Sequence, residues 1–180
     1  MDIDGERLPA EAREAVRAHL AGEGRAGSPA GGGSKSGVFV TITDSRGLRG
    51  CIGYAEPVMP LYEALRLAAV AAATEDPRFD PLRPGELDAV RFEVTVLDEP
   101  ALIRAGTPQE YISAITPGRD GLIVRRGGAS GLLLPQVAAE YGWSAREFLE
   151  NTCRKAGLDP DSWMQAGTDV YRFGGRVFSE

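Results

Sequence analysis

Hydrophobic positions change their period along the chain, and each change marks an element. Pro9 at a first-turn position, followed by AEAREAVRAHLAG, predicts a helix that ends at Gly22, with Ala12, Ala15, Val16 and Leu20 as its apolar stripe. The next stretch, 22–37, is rich in Gly, Ser and Pro and is expected to be a flexible loop outside the core. In GVFVTITD the alternation of Val38, Val40 and Ile42 predicts a strand. Ser45-Arg46-Gly47 makes a turn, and LRGCIGYAE, from Leu48, continues as the second strand of a hairpin. Residues 60–74 form an Ala-rich helix with Leu61, Leu65, Ala68, Ala69 and Ala72 on one face. Prolines at 77, 81 and 84 exclude regular structure from EDPRFDPLRPGEL. AVRFEVTVLDEP then alternates as a strand, Val90, Phe92, Val94 and Val96 facing one way and Arg91, Glu93 and Thr95 the other.

After Pro100 a second group of elements begins. Thr107 caps a short helix, with Glu110 placed for a capping box, and Arg119-Asp120-Gly121 is a turn. GLIVRR and GLLLPQ form a hairpin around 127–130, and a short helix follows over 135–141. Ser144, with Glu147 three residues on, starts another helix that Gly157 stops. A brief helical turn holds Trp163, and 170–173 and 176–178 are expected to pair as a final hairpin across Gly174-Gly175. The order α-ββ-α-β, α-ββ-αα-ββ predicts an α+β fold of mostly antiparallel sheets with helices packed on them.

Length and charge narrow the function classes. A chain of 180 residues holds one sizeable core or two small subdomains. No apolar run reaches the roughly 18 residues of a membrane span. The start of the chain, acidic and amphipathic, lacks the pattern of a secretory signal, so the expected location is cytoplasmic. The net charge of −6 argues against a strong nucleic-acid or anionic-membrane binder, and the arginines are interspersed with acidic residues as on a solvated surface. Two cysteines, Cys51 and Cys153, are too few for a disulfide framework or a zinc knuckle. The single histidine, His19, lies on the first helix, so a multi-histidine metal site is impossible within one chain and a histidine-dependent triad needs His19.

Candidate chemistry gathers at Leu48-Arg49-Gly50-Cys51-Ile52-Gly53. Glycines at alternate strand positions mark a bulge or a close backbone approach. A regular pleat places Arg49, Cys51 and Gly53 on one face and Leu48, Gly50 and Ile52 on the other. Should the Arg49 and Cys51 side chains meet, the guanidinium favours the thiolate, the reactive form. The competing reading makes Cys51 a small buried hydrophobe and the glycines a seat for a helix. Glu93, on the polar face of its strand, either meets Arg49 or Cys51 as an acid/base or is merely solvated. Asp76 and Arg78, beside Phe79, either bind a polar ligand or cap the preceding helix and pair with each other. Gln136 is either a ligand donor or a surface amide. Trp143, Trp163 and Cys153 read as packing residues and His19 as a helix-surface residue.

The hexapeptide LRGCIG in its hairpin, DPRF at 76–79, FEVTVL at 92–97, ITPGRDGLIV at 115–124, SGLLLPQVA at 130–138, EFL and TCRKAGL up to Leu158, and the closing YRF and VF-x-E occur in order over residues 9–180. Each motif is weak alone, but the ordered series closely resembles the AMMECR family, whose bacterial and archaeal members are called AmmeMemoRadiSam system protein A. Asp80 departs from it, standing where members often carry a second proline. The resemblance implies a single AMMECR-like domain over 1–180, with a larger and a smaller subdomain and LRGCIG lining a cleft between them. With the candidates read from the residues, the expected cleft set is Leu48, Gly50, Ile52, Gly53, Asp76, Arg78, Phe79 and Gln136. It also implies association with a MEMO-type protein, similar to extradiol dioxygenases, and with a radical S-adenosylmethionine enzyme. Neither the residues nor the resemblance implies a cofactor or a metal. Two functions follow as expectations: an accessory module that binds a small ligand or a partner, and an enzyme using Cys51 with Arg49 and Glu93.

Overall fold

The computed structural model describes residues 5–23 and 34–180, so most of the Gly-rich loop expected over 22–37 lies outside the described residues. In chain order the elements are α1 (Leu8–Leu20), β1 (Val38–Asp44), β2 (Gly47–Tyr54), α2 (Leu61–Thr74), β3 (Arg91–Leu97), β4 (Ala101–Leu102), α3 (Pro108–Ser113), β5 (Gly121–Arg126), β6 (Ala129–Leu133), α4 (Pro135–Tyr141), α5 (Ala145–Lys155), β7 (Asp169–Phe173) and β8 (Gly175–Ser179). Short 3-10 turns add Gly5–Arg7, Pro84–Ala89 and Pro160–Met164. The turn at Pro84–Ala89 lies in the segment read as irregular. Proline at the first helical position lacks only an N–H that has no partner there anyway, so it starts the turn instead of preventing it.

The chain forms two compact units. The larger comprises the described residues up to Leu97 together with Gly175–Glu180, and the smaller spans Asp98–Gly174. Each carries its own four-stranded antiparallel sheet, in the orders β2-β1-β3-β8 and β4-β7-β5-β6, so the α+β expectation holds. The final hairpin does not form. β7 pairs with β4 and β5, whereas β8 pairs with β3 in the other sheet. Neither Gly174 nor Gly175 has a positive φ, so the tight reversal that a two-residue hairpin demands is not made; the backbone passes from one sheet into the other.

In the larger unit, Val38, Val40, Ile42, Phe92, Val94 and Val96 point from the sheet into a core closed by Leu8, Ala12 and Val16 of α1 and by Leu61, Leu65, Ala68 and Ala72 of α2. Each buried Val, Leu or Phe contributes about 1.5–3 kcal/mol relative to exposure. The alanine face lets α2 lie close to β2. A Cβ on Gly50 would collide with the carbonyl oxygen of Ala72, so the helix rests on bare backbone there.

The smaller unit has a core of Leu122, Val124, Phe148, Leu149, Trp163 and Val170. Both of its predicted caps form: Thr107 accepts from the Glu110 amide and Ser144 from the Glu147 amide, with the glutamates reaching back to the cap residues' amides. Trp163 is fully buried, whereas Trp143 is half-buried and stacks on exposed Tyr141 with ring centroids 4.9 Å apart. Cys153 is buried, as its packing role required.

Candidate ligand-binding groove

β2 is an edge strand, and its open side is covered by side chains in place of another strand. The Cys51 amide donates to Asp76 Oδ2 at 2.9 Å, and Arg78 Nη2 donates to the Cys51 carbonyl oxygen at 3.4 Å. Asp76 and Arg78 thus stand where a neighbouring strand would pair. They also grip each other, Arg78 Nε to Oδ1 at 2.9 Å and Nη2 to Oδ2 at 2.7 Å. Arg78's guanidinium, helped by the Cys51 and Arg78 amides, holds the Asp76 carboxyl well below the usual carboxylate range against the opposing effect of burial. The mutual pairing expected for these two residues is present, and its purpose is to clamp the strand.

A bulge changes the pleat at the residue that matters most. Ile42 pairs with Gly50 and Thr43 with Leu48, leaving Arg49 as the extra residue. The regular pleat is therefore interrupted at Arg49, and the contacts of its guanidinium lie elsewhere than at Cys51. Arg49 Nη1 donates to the Asp80 carbonyl oxygen at 2.6 Å, and Nη2 lies 3.7 Å from Glu86 Oε1. The Cys51 thiol, half-buried, accepts from Thr41 Oγ1 at 3.4 Å. Glu93 sits across from Thr41 on β3 and accepts from Ser179 Oγ at 3.1 Å, joining neither Arg49 nor Cys51.

The other expected cleft residues divide in the same way. Gly50 is buried under α2, and Ile52 packs against the core. Gly53 lies against the Phe39 ring and the Val38 carbonyl oxygen. Gln136 is an exposed first-turn residue of α4, in the smaller unit. Leu48, Arg49, Arg78 and Phe79 do come together, along a groove of about 520 Å³.

The remaining walls were not anticipated. The β1–β2 turn supplies Asp44 and Arg46, and the loop after α2 supplies Asp80, Pro81, Arg83 and Glu86. All of these belong to the larger unit. The signal was present as four arginines spaced along two short segments, 46–49 and 78–83, but only the hairpin and the loop's fold-back make them neighbours.

Charge in the groove is layered. In the Arg46–Asp44 pair the side chains are 81% and 13% exposed, and in Arg78–Asp76 55% and 3%, so the carboxylates sit behind and the guanidiniums in front. Asp44 is held below its ordinary pKa first by the Arg46 amide, then by the Arg46 side chain. Glu86 is lowered chiefly by the hydrogen bond from the Arg83 amide. Arg49 differs, its side chain only 12% exposed at the groove's base. Phe79 supplies an apolar wall on which the Arg78 guanidinium stacks at 5.3 Å. Such an arrangement holds ready-oriented donors next to apolar surface, the makings of a binding site for a small polar molecule. Among the described residues no set of three His, Cys, Asp or Glu side chains converges as a metal ion would require, and no helix is long and apolar enough to cross a membrane.

Comparisons with known proteins agree with the motif series. A protein of Methanothermobacter thermautotrophicus is 50% identical over 98% of this chain and 94% of its own. One from Thermofilum pendens is 54% identical over 81% of this chain and 73% of its own. The crystal structure of the uncharacterized protein PH0010 from Pyrococcus horikoshii superimposes with a TM-score of 0.81 at 45% identity, covering 98% of this chain and 91% of that one. The AMMECR1 family model matches residues 9–178, and the chain belongs to the AMMECR1 family.

Proposed function

We propose that this protein is a cytoplasmic accessory module that holds a small ligand in the groove beside Leu48 and Arg49, and that works with a MEMO-type protein and a radical S-adenosylmethionine enzyme as one AMMECR-like domain. The observation that carries the binding part is the fixed guanidinium of Arg49, held by the Asp80 carbonyl oxygen at the base of an open groove of about 520 Å³. A donor already oriented loses little entropy when a ligand arrives, which favours binding. The partner part rests on the resemblance of the motif series. Its test is affinity capture of the full chain from a native host at its natural abundance. Recovery of either enzyme above an unrelated bait supports the reading; recovery of neither, with a known complex captured in parallel, removes it.

A second reading, an enzyme with Cys51 as nucleophile, is favoured by one contact: Thr41 donates to Sγ at 3.4 Å, which orients a half-buried sulfur. Against it, Arg49 is engaged by Asp80 and Glu86, and Glu93 by Ser179. Alkylation rate against pH decides. A Cys51 that reacts faster at neutral pH than a free cysteine supports the enzyme; one that reacts no faster leaves the binding module.

A further inference from the structure

The ligand class can be taken further, resting on the binding reading above. We propose that the groove takes an oxyanion, a phosphoryl or carboxylate group, attached to a planar or apolar body. The oxyanion meets Arg49 and Arg83, and the body lies against Leu48 and Phe79.

Three observations carry this. First, the ion pairs are oriented: Asp76 is buried and Asp44 is far less exposed than its partner, so Arg46 and Arg78 present their positive ends outward. A layer of this kind creates a positive surface even where formal charges nearly cancel. Second, Arg49 has five N–H donors in a planar fork. One is satisfied by the Asp80 carbonyl oxygen and Nη2 is ion-paired with Glu86 at 3.7 Å, a separation longer than a hydrogen bond, so the remaining N–H donors are available to a two-oxygen acceptor that competes with Glu86. Third, the apolar surface is adjacent, since Leu48 is exposed and Phe79 half-buried in the same groove. An exposed leucine beside a row of guanidiniums fits an amphipathic molecule better than a simple ion. Three carboxylates in the lining oppose an anion, Asp44, Asp80 and Glu86; Asp44 is paired with Arg46 and Glu86 with Arg49, so exposed Asp80 is the most informative position to alter.

The test titrates the full chain with phenyl phosphate, with benzoate and with neutral benzamide, following backbone amides and arginine Nε–H groups by NMR. The expected result is saturable shifts at Leu48, Arg49 and Phe79 with at least one of the two anions and not with benzamide. Tighter phenyl phosphate assigns the phosphoryl source; tighter benzoate assigns the carboxylate. Arg49→Lys, which loses the planar fork, should weaken the preferred anion about tenfold. Because Arg49 also braces its loop, two exposed positions provide independent readouts. Arg83→Gln should weaken binding about threefold, and Asp80→Asn should tighten it about threefold. Benzamide binding as tightly as the anions, absence of saturation by either anion at millimolar concentration, or unchanged affinity in both Arg83→Gln and Asp80→Asn each overturns the assignment. The capture experiment above is scored separately. Recovered partners without anion binding would sink the ligand class alone, and anion binding without partners would sink the accessory reading alone.

Discussion

Substituting Asp76 by asparagine should destabilise the larger unit far more than removing its partner Arg78 does, although the two form a single ion pair. The Asp76 carboxylate accepts four hydrogen bonds: from the Cys51 amide at 2.9 Å, the Arg78 amide at 3.2 Å, and Arg78 Nε and Nη2 at 2.9 and 2.7 Å. The Arg78 side chain is 55% exposed, so solvent screens the guanidinium part to roughly 0–1 kcal/mol. The Cys51 amide is different. It is a backbone donor on an edge strand meeting a carboxylate only 3% exposed, where a charge-assisted bond contributes about 1.5–3 kcal/mol. An asparagine side chain at this position would keep one acceptor oxygen but set an NH2 group against one of these donors. The expected cost is about 2–3 kcal/mol for Asp76→Asn and about 1 kcal/mol for Arg78→Gln. The pH dependence carries the signature. Asp76 has a folded pKa depressed below its unfolded value of about 3.9, so its contribution is fully present above that value and is lost as pH falls through the folded pKa. The gap between wild type and Asp76→Asn should therefore be constant from about pH 5 to 7 and close in more acidic solution. Both tryptophans, Trp143 and Trp163, lie in the smaller unit, so fluorescence would miss the event. Urea unfolding followed by far-UV circular dichroism, with hydrogen exchange of the Cys51 amide, reads it directly. Equal losses in the two variants, or a gap that persists unchanged to about pH 2, would refute the reasoning.

Two further outcomes follow from packing. Gly50→Ala drives a methyl group into the Ala72 backbone of α2, a neighbour that cannot swing aside, and should cost at least about 2 kcal/mol by chemical denaturation; a neutral result would mean that the helix does not rest on the strand there. Under native conditions iodoacetamide should label half-buried Cys51 and spare Cys153, which is sealed in the smaller unit's core with its thiol pushed up by burial, and labelling of Cys153 should track urea unfolding, as peptide mass spectrometry will show.

Local periodicity made most of the fold legible. The alternation at Val38, Val40 and Ile42, the alanine face of α2 and the capping boxes at Thr107 and Ser144 all describe short-range physics that survives folding unchanged. What escaped is what depends on partners distant in sequence. Nothing local tells Gly174-Gly175 apart from a hairpin turn; only the pairing of Gly175 with Leu97 and of Phe173 with Gly121 makes them a passage between sheets. The alternate glycines announced a bulge or a close approach, and both are present; what escaped is that Arg49 is the extra residue. One extra residue sits against β1 there, and the guanidinium is engaged by Asp80. The arginines read as solvated surface became a groove wall because the loop after α2 folds back beside the β1–β2 turn.

The six residues of the motif show why a sequence signature and a binding site are different things. Gly50 admits α2, Ile52 packs on the core, Gly53 lies against Phe39, and the Cys51 backbone is held by Asp76 and Arg78. Only Leu48 and Arg49 reach the groove. Most of LRGCIG is therefore constrained by packing and edge protection, and that constraint holds whatever the groove binds. Selectivity must come from side chains free to change without disturbing those contacts, and Arg46, Asp80 and Arg83, all exposed in the lining, meet that condition. Substitutions at these three should alter which anion is preferred while leaving stability nearly unchanged, whereas substitutions at Gly50 or Asp76 should do the reverse. A library at 46, 80 and 83, measured beside variants at 50 and 76 for ligand preference and melting temperature, separates the two groups; selectivity that moved instead with Gly50 or Asp76 would place the ligand against the strand itself.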